Sequence, residues 1–327
     1  MSAHLQETII EKQQTANETC WICNGNLISF SPFDDSARVI HCQNCQTESI
    51  RPLPTPEELD EYYSNYHATQ TSEEQLHYLI SLSTEALRFY MKKMDLSENA
   101  VRQTRLMEIG FGNGAGLFAG AQLGLQSYGI DLDPVGVANA KAFAEKQSIP
   151  ATCLQGDVSN LSEMGMKFDI VKASQVLEHV LNPIEFLTAI SHSQPKGGYL
   201  IIESPNNQAA FWWLKNRARK SFDRLNYYNS LKLKEHLWGY TKKSLPLLLQ
   251  KVGYRTVFVQ DYAAGNAIFE PQSVLWYQTL RGGLRDSLKN KALQPMLYPS
   301  VRAFDSLASR LFHQGTGLAA LCQKISD

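Results

Sequence analysis

The sequence predicts an α/β fold in which a mostly parallel sheet with helical crossovers follows a small cysteine-rich module. Three observations predict it. From Thr104 onward, short apolar runs alternate with amphipathic stretches, the pattern of strand, crossover helix and parallel strand. The first run, Leu106 to Ile109, breaks into Gly110-Phe111-Gly112-Asn113-Gly114-Ala115-Gly116, with four glycines in seven residues. Four of the six cysteines sit in two tight pairs near the start, Cys20-Trp21-Ile22-Cys23 and Cys42-Gln43-Asn44-Cys45.

At 327 residues the chain can hold one large domain and a small one, or two ordinary domains. Its 43% hydrophobic and 19% charged residues are those of a soluble globular protein. A formal net charge of −1 gives no global electrostatic case for nucleic acid or membrane. Met1 to Glu18 is polar and lacks the apolar core of a signal peptide, so residues 1–19 read as a disordered tail. No stretch approaches the ~18 uninterrupted apolar residues of a membrane span, and the expected location is cytoplasmic.

The cysteine spacing is C-x2-C-x18-C-x2-C. Each pair forms a knuckle presenting two thiolates, and two knuckles complete a tetrahedral site for zinc. A redox pair of CxxC motifs or an iron–sulfur site is the alternative. Leu27-Ile28-Ser29-Phe30 and Arg38-Val39-Ile40-His41 read as strands around a turn at Pro32–Ser36, so residues 20–51 form a zinc ribbon. With Cys20, Cys23, Cys42 and Cys45 all bound to the ion, no position is left open, and the metal is structural. Residues 52–100 then read as linker and helices. Thr55 and Glu58 form a capping box with Pro56 at the first helical position. The helix they open carries Tyr62, Tyr63 and Tyr66, which either pack on the main domain or line its pocket. Thr71 and Glu74 form a second box, opening a helix to about Met94.

A glycine turn between a strand and a helix exposes backbone N–H groups at the helix N-terminus, where a polar or anionic ligand docks. Gly110, Gly112 and Ala115 satisfy the relaxed dinucleotide pattern G-x-G-x-x-G/A, with Asp131 following Gly110 by 21 residues. Glu108-x-Gly110-x-Gly112-x-Gly114 also resembles the first motif of the class I S-adenosylmethionine (SAM)-dependent methyltransferases. Later segments decide between the two. The second strand, Gln126 to Asp131, ends in Asp131-Leu132-Asp133-Pro134, with a carboxylate at the ligand edge of the sheet. The third, Ala151 to Gln155, ends in Gly156-Asp157-Val158. There Asp157 either accepts from an adenine amino group, with Val158 on the ring, or caps the next segment. The fourth, Phe168 to Ala173, leads into Ser174-Gln175-Val176-Leu177-Glu178-His179-Val180.

In order and over about 100 residues, these segments resemble successive class I methyltransferase motifs, whereas dinucleotide dehydrogenases share only the first two. The resemblance implies a Rossmann-like sheet of seven strands with the last antiparallel, over residues 101–327. It implies SAM held by Glu108, Gly110, Gly112, Gly114, Asp131, Leu132, Asp157, Val158 and Gln175. His236-Leu237-Trp238-Gly239-Tyr240-Thr241, the helix Leu245 to Val252, a sixth strand at 253–261 and a seventh at 318–325 continue it. A four-cysteine ribbon ahead of the domain resembles a subset that includes sugar C-methyltransferases of deoxysugar pathways. A sugar, nucleotide-sugar or polysaccharide-precursor acceptor is the implied substrate class.

Methyl transfer requires an aligned acceptor and, for a hydroxyl or carbon acid, removal of a proton. His179 and His236 are the candidate bases because imidazole titrates near neutrality, with the alternative that they only shape the pocket or anchor a loop. Glu178 is a weaker candidate, and Tyr240 is placed to orient the acceptor. Residues 205–240 read as an aromatic lid. From Lys215 to Lys243, nine Lys or Arg face only Asp223 and Glu235. This basic patch fits an anionic small-molecule acceptor, RNA as the alternative acceptor, or a merely solvated face. Residues 272–312 read as a helical insertion suited to homodimer or membrane-surface contact. Cys153 and Cys322 read as buried strand residues. A non-catalytic SAM- and zinc-binding module is the competing reading from outside enzymology.

Overall fold

Glycine-punctuated strands can pair in parallel only if crossover connections carry the chain back across the sheet, and helical crossovers are the architecture found. The computed structural model describes residues 19–32, 37–64, 71–210, 212, 227–228, 230–232, 235–263 and 294–326. The first three strands are β1 (Leu27–Pro32), β2 (Arg38–Cys42) and β3 (Glu48–Arg51). Helices α1 (Pro56–Ser64), α2 (Glu73–Lys93) and the short α3 (Glu98–Val101) follow. The main alternation runs β4 (Arg105–Ile109), α4 (Ala115–Gln122), β5 (Gln126–Asp131), α5 (Pro134–Lys146) and β6 (Ala151–Gln155). A 3-10 turn at Val158–Ser162 precedes β7 (Ile170–Ser174), α6 (Pro183–His192) and β8 (Tyr199–Pro205). Then come a two-residue hairpin, β9 (Tyr227–Tyr228) and β10 (Leu231–Lys232), and β11 (Trp238–Gly239). The chain closes with α7 (Ser244–Lys251), β12 (Tyr254–Tyr262), α8 (Gln294–Phe312) and β13 (Gly317–Lys324).

The seven-stranded sheet has the order β12-β13-β8-β7-β4-β5-β6. Strands β8, β7, β4, β5 and β6 pair in parallel, and β13 inserts antiparallel between β8 and β12. The predicted seven-stranded sheet with an antiparallel last strand is therefore present. Alternate residues of its strands feed two cores. Met107, Ile109, Val171, Leu200 and Ile202 pack with α6 and α7, while Leu106, Ile170 and Ile201 pack with α2 and α4. Each such side chain, fully buried, contributes about 1.5–3 kcal/mol by leaving water.

Two local expectations change in detail. The box opening α2 is built from Ser72 and Gln75, one residue after the expected Thr71 and Glu74. Thr71 instead accepts from Asn113 Nδ2 at 3.5 Å. The box of Thr55 and Glu58 is present, with bonds of 2.9 and 3.3 Å. Strand β3 was not foreseen, because Glu48-Ser49-Ile50-Arg51 has one apolar residue and its outer partner, β11, lies far along the chain.

Residues 1–18 of the expected disordered tail lie outside the described residues, whereas Thr19 forms an antiparallel bridge with Asn26. Lys215 to Arg224 and Lys234 of the basic patch and residues 272–293 of the expected insertion also lie outside them. The described remainder of that insertion belongs to α8. Among the described residues, no helix is long and apolar enough to cross a membrane. Cys153 and Cys322 are buried, as expected.

Candidate functional site

Strand β4 delivers the chain into a turn that only glycine adopts freely: φ is +65° at Gly110, +55° at Gly112 and +84° at Gly114. A Cβ on Gly110 would fall 2.6 Å from Val176, so the segment after β7 presses directly on the turn. Over Gly112 no atom lies within 4 Å of where a Cβ would stand, and that face of the turn is open. The N-terminus of α4 follows at once, with its aligned amides. Asp131, ending the adjacent strand β5, braces the turn from the side. Its Oδ2 accepts from Gly112 N–H at 2.8 Å and its Oδ1 from Asp133 N–H at 2.9 Å. Leu132 beside it is 63% exposed, an apolar side chain turned outward at the carboxyl edge. Gln175, ending β7, holds φ at +55° without being glycine, a strained conformation of the kind that collects at binding sites.

Two expected cofactor residues sit differently. Asp157 caps the 3-10 turn, its Oδ1 accepting from Ser159 N–H at 2.7 Å, and Val158 is half-buried at the start of that turn. Glu108 is buried beneath the first turn of α4, where a Cβ on Gly116 would fall 2.3 Å from its Oε1.

That carboxylate belongs to a buried polar row which the sequence reading missed. Register pairs Glu108 with Lys172 and Ser174 with Glu203 across β4, β7 and β8. Lys172 Nζ donates to Glu108 Oε1 at 2.7 Å and lies 4.0 Å from Glu203 Oε2. Tyr90 of α2 and Ser174 each donate to Glu203 at 2.7 Å. Burial would lower the Lys172 ammonium's affinity for its proton, but Glu108 and Glu203 reverse the direction and raise it. Burial pushes Glu203 up, opposed by Lys172 and by the two hydroxyls. The signal was a lysine inside the apolar strand Phe168 to Ala173, which must have a partner to be buried there.

The second cluster gathers Glu178 and His179, after β7, with the segment before β11. The rings of His179 and His236 lie 4.7 Å apart, edge to face. Tyr63 of α1 places its hydroxyl 3.0 Å from His179 Nδ1, and Tyr62 donates to Glu235 at 2.7 Å. His236 Nδ1 lies 2.8 Å from the Ser230 carbonyl, which can only accept, so Nδ1 carries the proton and Nε2 is the basic nitrogen of the neutral ring. Glu178 is fully buried, with Ser204 donating to its Oε2 at 3.1 Å and its Oε1 3.8 Å from His179 Nε2. Burial pushes its carboxyl up to about 8. Ligand atoms of Glu178, His179 and His236 lie within 4.8 Å of one another. A cation there would have to ionise a carboxyl that burial keeps protonated near neutrality. Tyr240 is apart from this surface: it is fully buried and its hydroxyl donates to the Leu177 carbonyl at 3.3 Å.

The four ribbon cysteines bring their sulfurs within 4.8 Å of one another, with Cys20–Cys45 at 3.7 Å and Cys23–Cys42 at 3.5 Å. Zinc–sulfur bonds of about 2.3 Å in a tetrahedron place sulfurs about 3.8 Å apart, so the cluster fits zinc. Of the basic patch, Lys242 is paired with Asp261 at 3.0 Å and Lys243 donates to Asn44 O at 2.6 Å.

Residues 76–259, more than half of the chain, match the methyltransferase domain family. The chain belongs to that family. Among curated methyltransferases, a ubiquinone biosynthesis O-methyltransferase of Cereibacter sphaeroides is 32% identical over 102 residues, covering 31% of this chain and 41% of its own length. The corresponding enzyme of a Ruegeria species is 26% identical over 174 residues, covering 53% of this chain and 66% of its own. The match to the first of these thus spans about two-fifths of that relative. Among solved structures, the cyclase SpnF aligns at 16% identity with a TM-score of 0.45, over 70% of this chain and 81% of that one. The MccD protein aligns at 12% identity with a TM-score of 0.46, over 73% and 96%.

Proposed function

We propose that this methyltransferase-family chain transfers a methyl group from SAM to a hydroxyl of a small-molecule acceptor, with His236 taking the acceptor's proton. The observation that carries the reading is the meeting of two features at one sheet edge. The open, positive-φ glycine turn braced by Asp131 abuts Val176, and the same segment presents His179 against His236. Gly110, Gly112, Gly114, Asp131 and Leu132 would hold the cofactor, with Gln175 beside them. Glu108 supports the turn from beneath, and Asp157 and Val158 shape the edge next to β6. Bound SAM would supply an electrophilic methyl group on a positively charged sulfur. The chain's own work is then to exclude water, align the acceptor and hold its proton at His236 Nε2. Oxygen acceptors are what the names of the curated relatives record; the ribbon resemblance brings a sugar or nucleotide sugar, and both offer a hydroxyl. Zinc on the four cysteines has a structural role here.

Calorimetric titration with SAM, its demethylated product and a reduced nicotinamide dinucleotide tests the pocket. Heat is expected with the first two and not the third, and Asp131→Ala weakens both at least about tenfold by freeing the turn (~1.4 kcal/mol per decade). Binding of the dinucleotide alone would overturn the reading. Isotopically labelled SAM incubated with enzyme and cell extract then identifies the acceptor by mass. With that acceptor, His236→Gln lowers kcat by about 10²–10⁴-fold at unchanged SAM affinity.

A further inference from the structure

A continuous line of hydrogen bonds leads from the ribbon sheet to the His236 ring. Glu48, on β3 and buried, accepts from Asn207 Nδ2 at 2.7 Å through Oε2, while its Oε1 lies 3.1 Å from His41 Nδ1. That acceptance settles which way the Asn207 amide faces. Its oxygen is therefore the end presented to Ser230, accepting from Ser230 Oγ at 2.8 Å and from Ser230 N–H at 3.4 Å. The carbonyl of the same Ser230 accepts from His236 Nδ1 at 2.8 Å. Asn207 and Ser230 are both buried, so water does not readily substitute for either. The amide is seated against Gly239, where a Cβ would fall 2.5 Å from its oxygen. Gly239 in turn pairs with Glu48 across β11 and β3, and Ile50 N–H donates to the Leu237 carbonyl at 3.2 Å. His236 is thus held at its ring through Asn207 and Ser230, and just beyond its own backbone by a strand of the ribbon.

We propose that Glu48 and Asn207 are positioning residues for the proton acceptor, and that the ribbon is a working part of the active site. This rests on the reading of His236 given above. The Ser230 carbonyl favours one ring state, the proton on Nδ1 and the lone pair on Nε2, with Glu235 Oε1 at 3.9 Å from Nε2 as the competing acceptor. Without that constraint an imidazole exchanges between two tautomers, and only one presents Nε2 as the base.

Ring-nitrogen spectra of the zinc-loaded chain of residues 1–327 labelled with 15N-histidine read this state directly, with His236 assigned through His236→Gln. In the wild type at a pH where the ring is neutral, Nδ1 carries the protonated-type shift and Nε2 the unprotonated one. Glu48→Ala and Asn207→Ala are each expected to collapse that difference toward a tautomer average, leaving the His313 signals where they were. Glu48→Gln keeps an acceptor for Asn207 Nδ2 and is expected to preserve the wild-type pattern. His236 shifts unchanged in the folded Ala variants would overturn the proposal. Should Glu48→Ala not fold, Asn207→Ala against Glu48→Gln decides it alone. No acceptor or turnover enters the measurement, so it separates from the reading it rests on. Full turnover in His236→Gln removes the base assignment and leaves the spectra standing.

Discussion

Single side chains decide two properties of this molecule, and neither belongs to a surface group. Lys172 sits between two buried carboxylates, 2.7 Å from Glu108 and 4.0 Å from Glu203. Removing it leaves like charges facing one another in a poorly solvated row, which costs about 3–5 kcal/mol. Lys172→Met is therefore expected to lower the urea midpoint strongly, and adding Glu108→Gln to recover part of the loss. An unchanged midpoint for the single variant would mean the carboxylates protonate at no cost. Glu178 sets a pH dependence. Its carboxyl is raised by burial to about 8, so the native chain keeps a proton that the unfolded chain has lost above the ordinary carboxylate range. The unfolded state binds fewer protons across that window, and stability falls as pH rises from about 4.5 to about 8. Glu178→Gln flattens this slope in unfolding curves taken at several pH values. The glycines and Asp131 were legible in the sequence because turn conformation and strand ends are local properties. Lys172, Glu203 and Tyr90 were not, because their meeting depends on the register of β4 against β7 and on how α2 crosses them.

At the level of elements, the first turn of α4 shows how packing overrides propensity. Gly116 lies inside a helix, where alanine is intrinsically better by about 1 kcal/mol. The added Cβ, however, would stand 2.3 Å from Glu108 Oε1 and 2.6 Å from its Oε2. Those oxygens cannot retreat without breaking the bond to Lys172, so Gly116→Ala is expected to destabilise by roughly 1–3 kcal/mol despite its propensity. A raised thermal midpoint would show that the carboxylate has room to move. The same contest explains what element prediction captured. Strands β5 and β6 match their expected limits because each is a short stretch set between glycine or proline signals, Gly124 and Pro134 for the first and Pro150 and Gly156 for the second. The start of α2 slipped by one residue because Thr71-Ser72-Glu73-Glu74-Gln75 contains two overlapping boxes, and sequence alone does not rank them. Strand β3 escaped because it is stabilised by partners rather than by its own composition.

For the molecule as a whole, the ribbon and the sheet domain share a core. Cys20, Ile22, Cys42 and Cys45 fall in one buried cluster with Leu237, Trp238, Tyr240 and Leu245. Trp21 meets Trp238 edge to face at 4.9 Å, and Arg51 lies 5.0 Å above the Trp238 ring. Thr241 Oγ1 donates to the Cys45 carbonyl and Thr47 Oγ1 to the Gly239 carbonyl, each at 3.0 Å. The cysteine spacing announces a module in the sequence, but these contacts come from residues about 190 positions later, so a boundary at residue 51 is one of sequence rather than of packing. Metal binding energy is folding energy wherever the unfolded chain lacks the site. Zinc on the four cysteines would spend it on the common core, and its removal would be felt beyond the ribbon. Scanning calorimetry of the zinc-loaded chain is expected to show a single transition. After chelation, that main transition should move down by several degrees, about what a loss of a few kcal/mol does to a chain of this size. An independent ribbon would behave otherwise, melting by itself at low temperature and leaving the main transition in place. That outcome would separate the two parts and remove the physical basis for the ribbon's hold on His236.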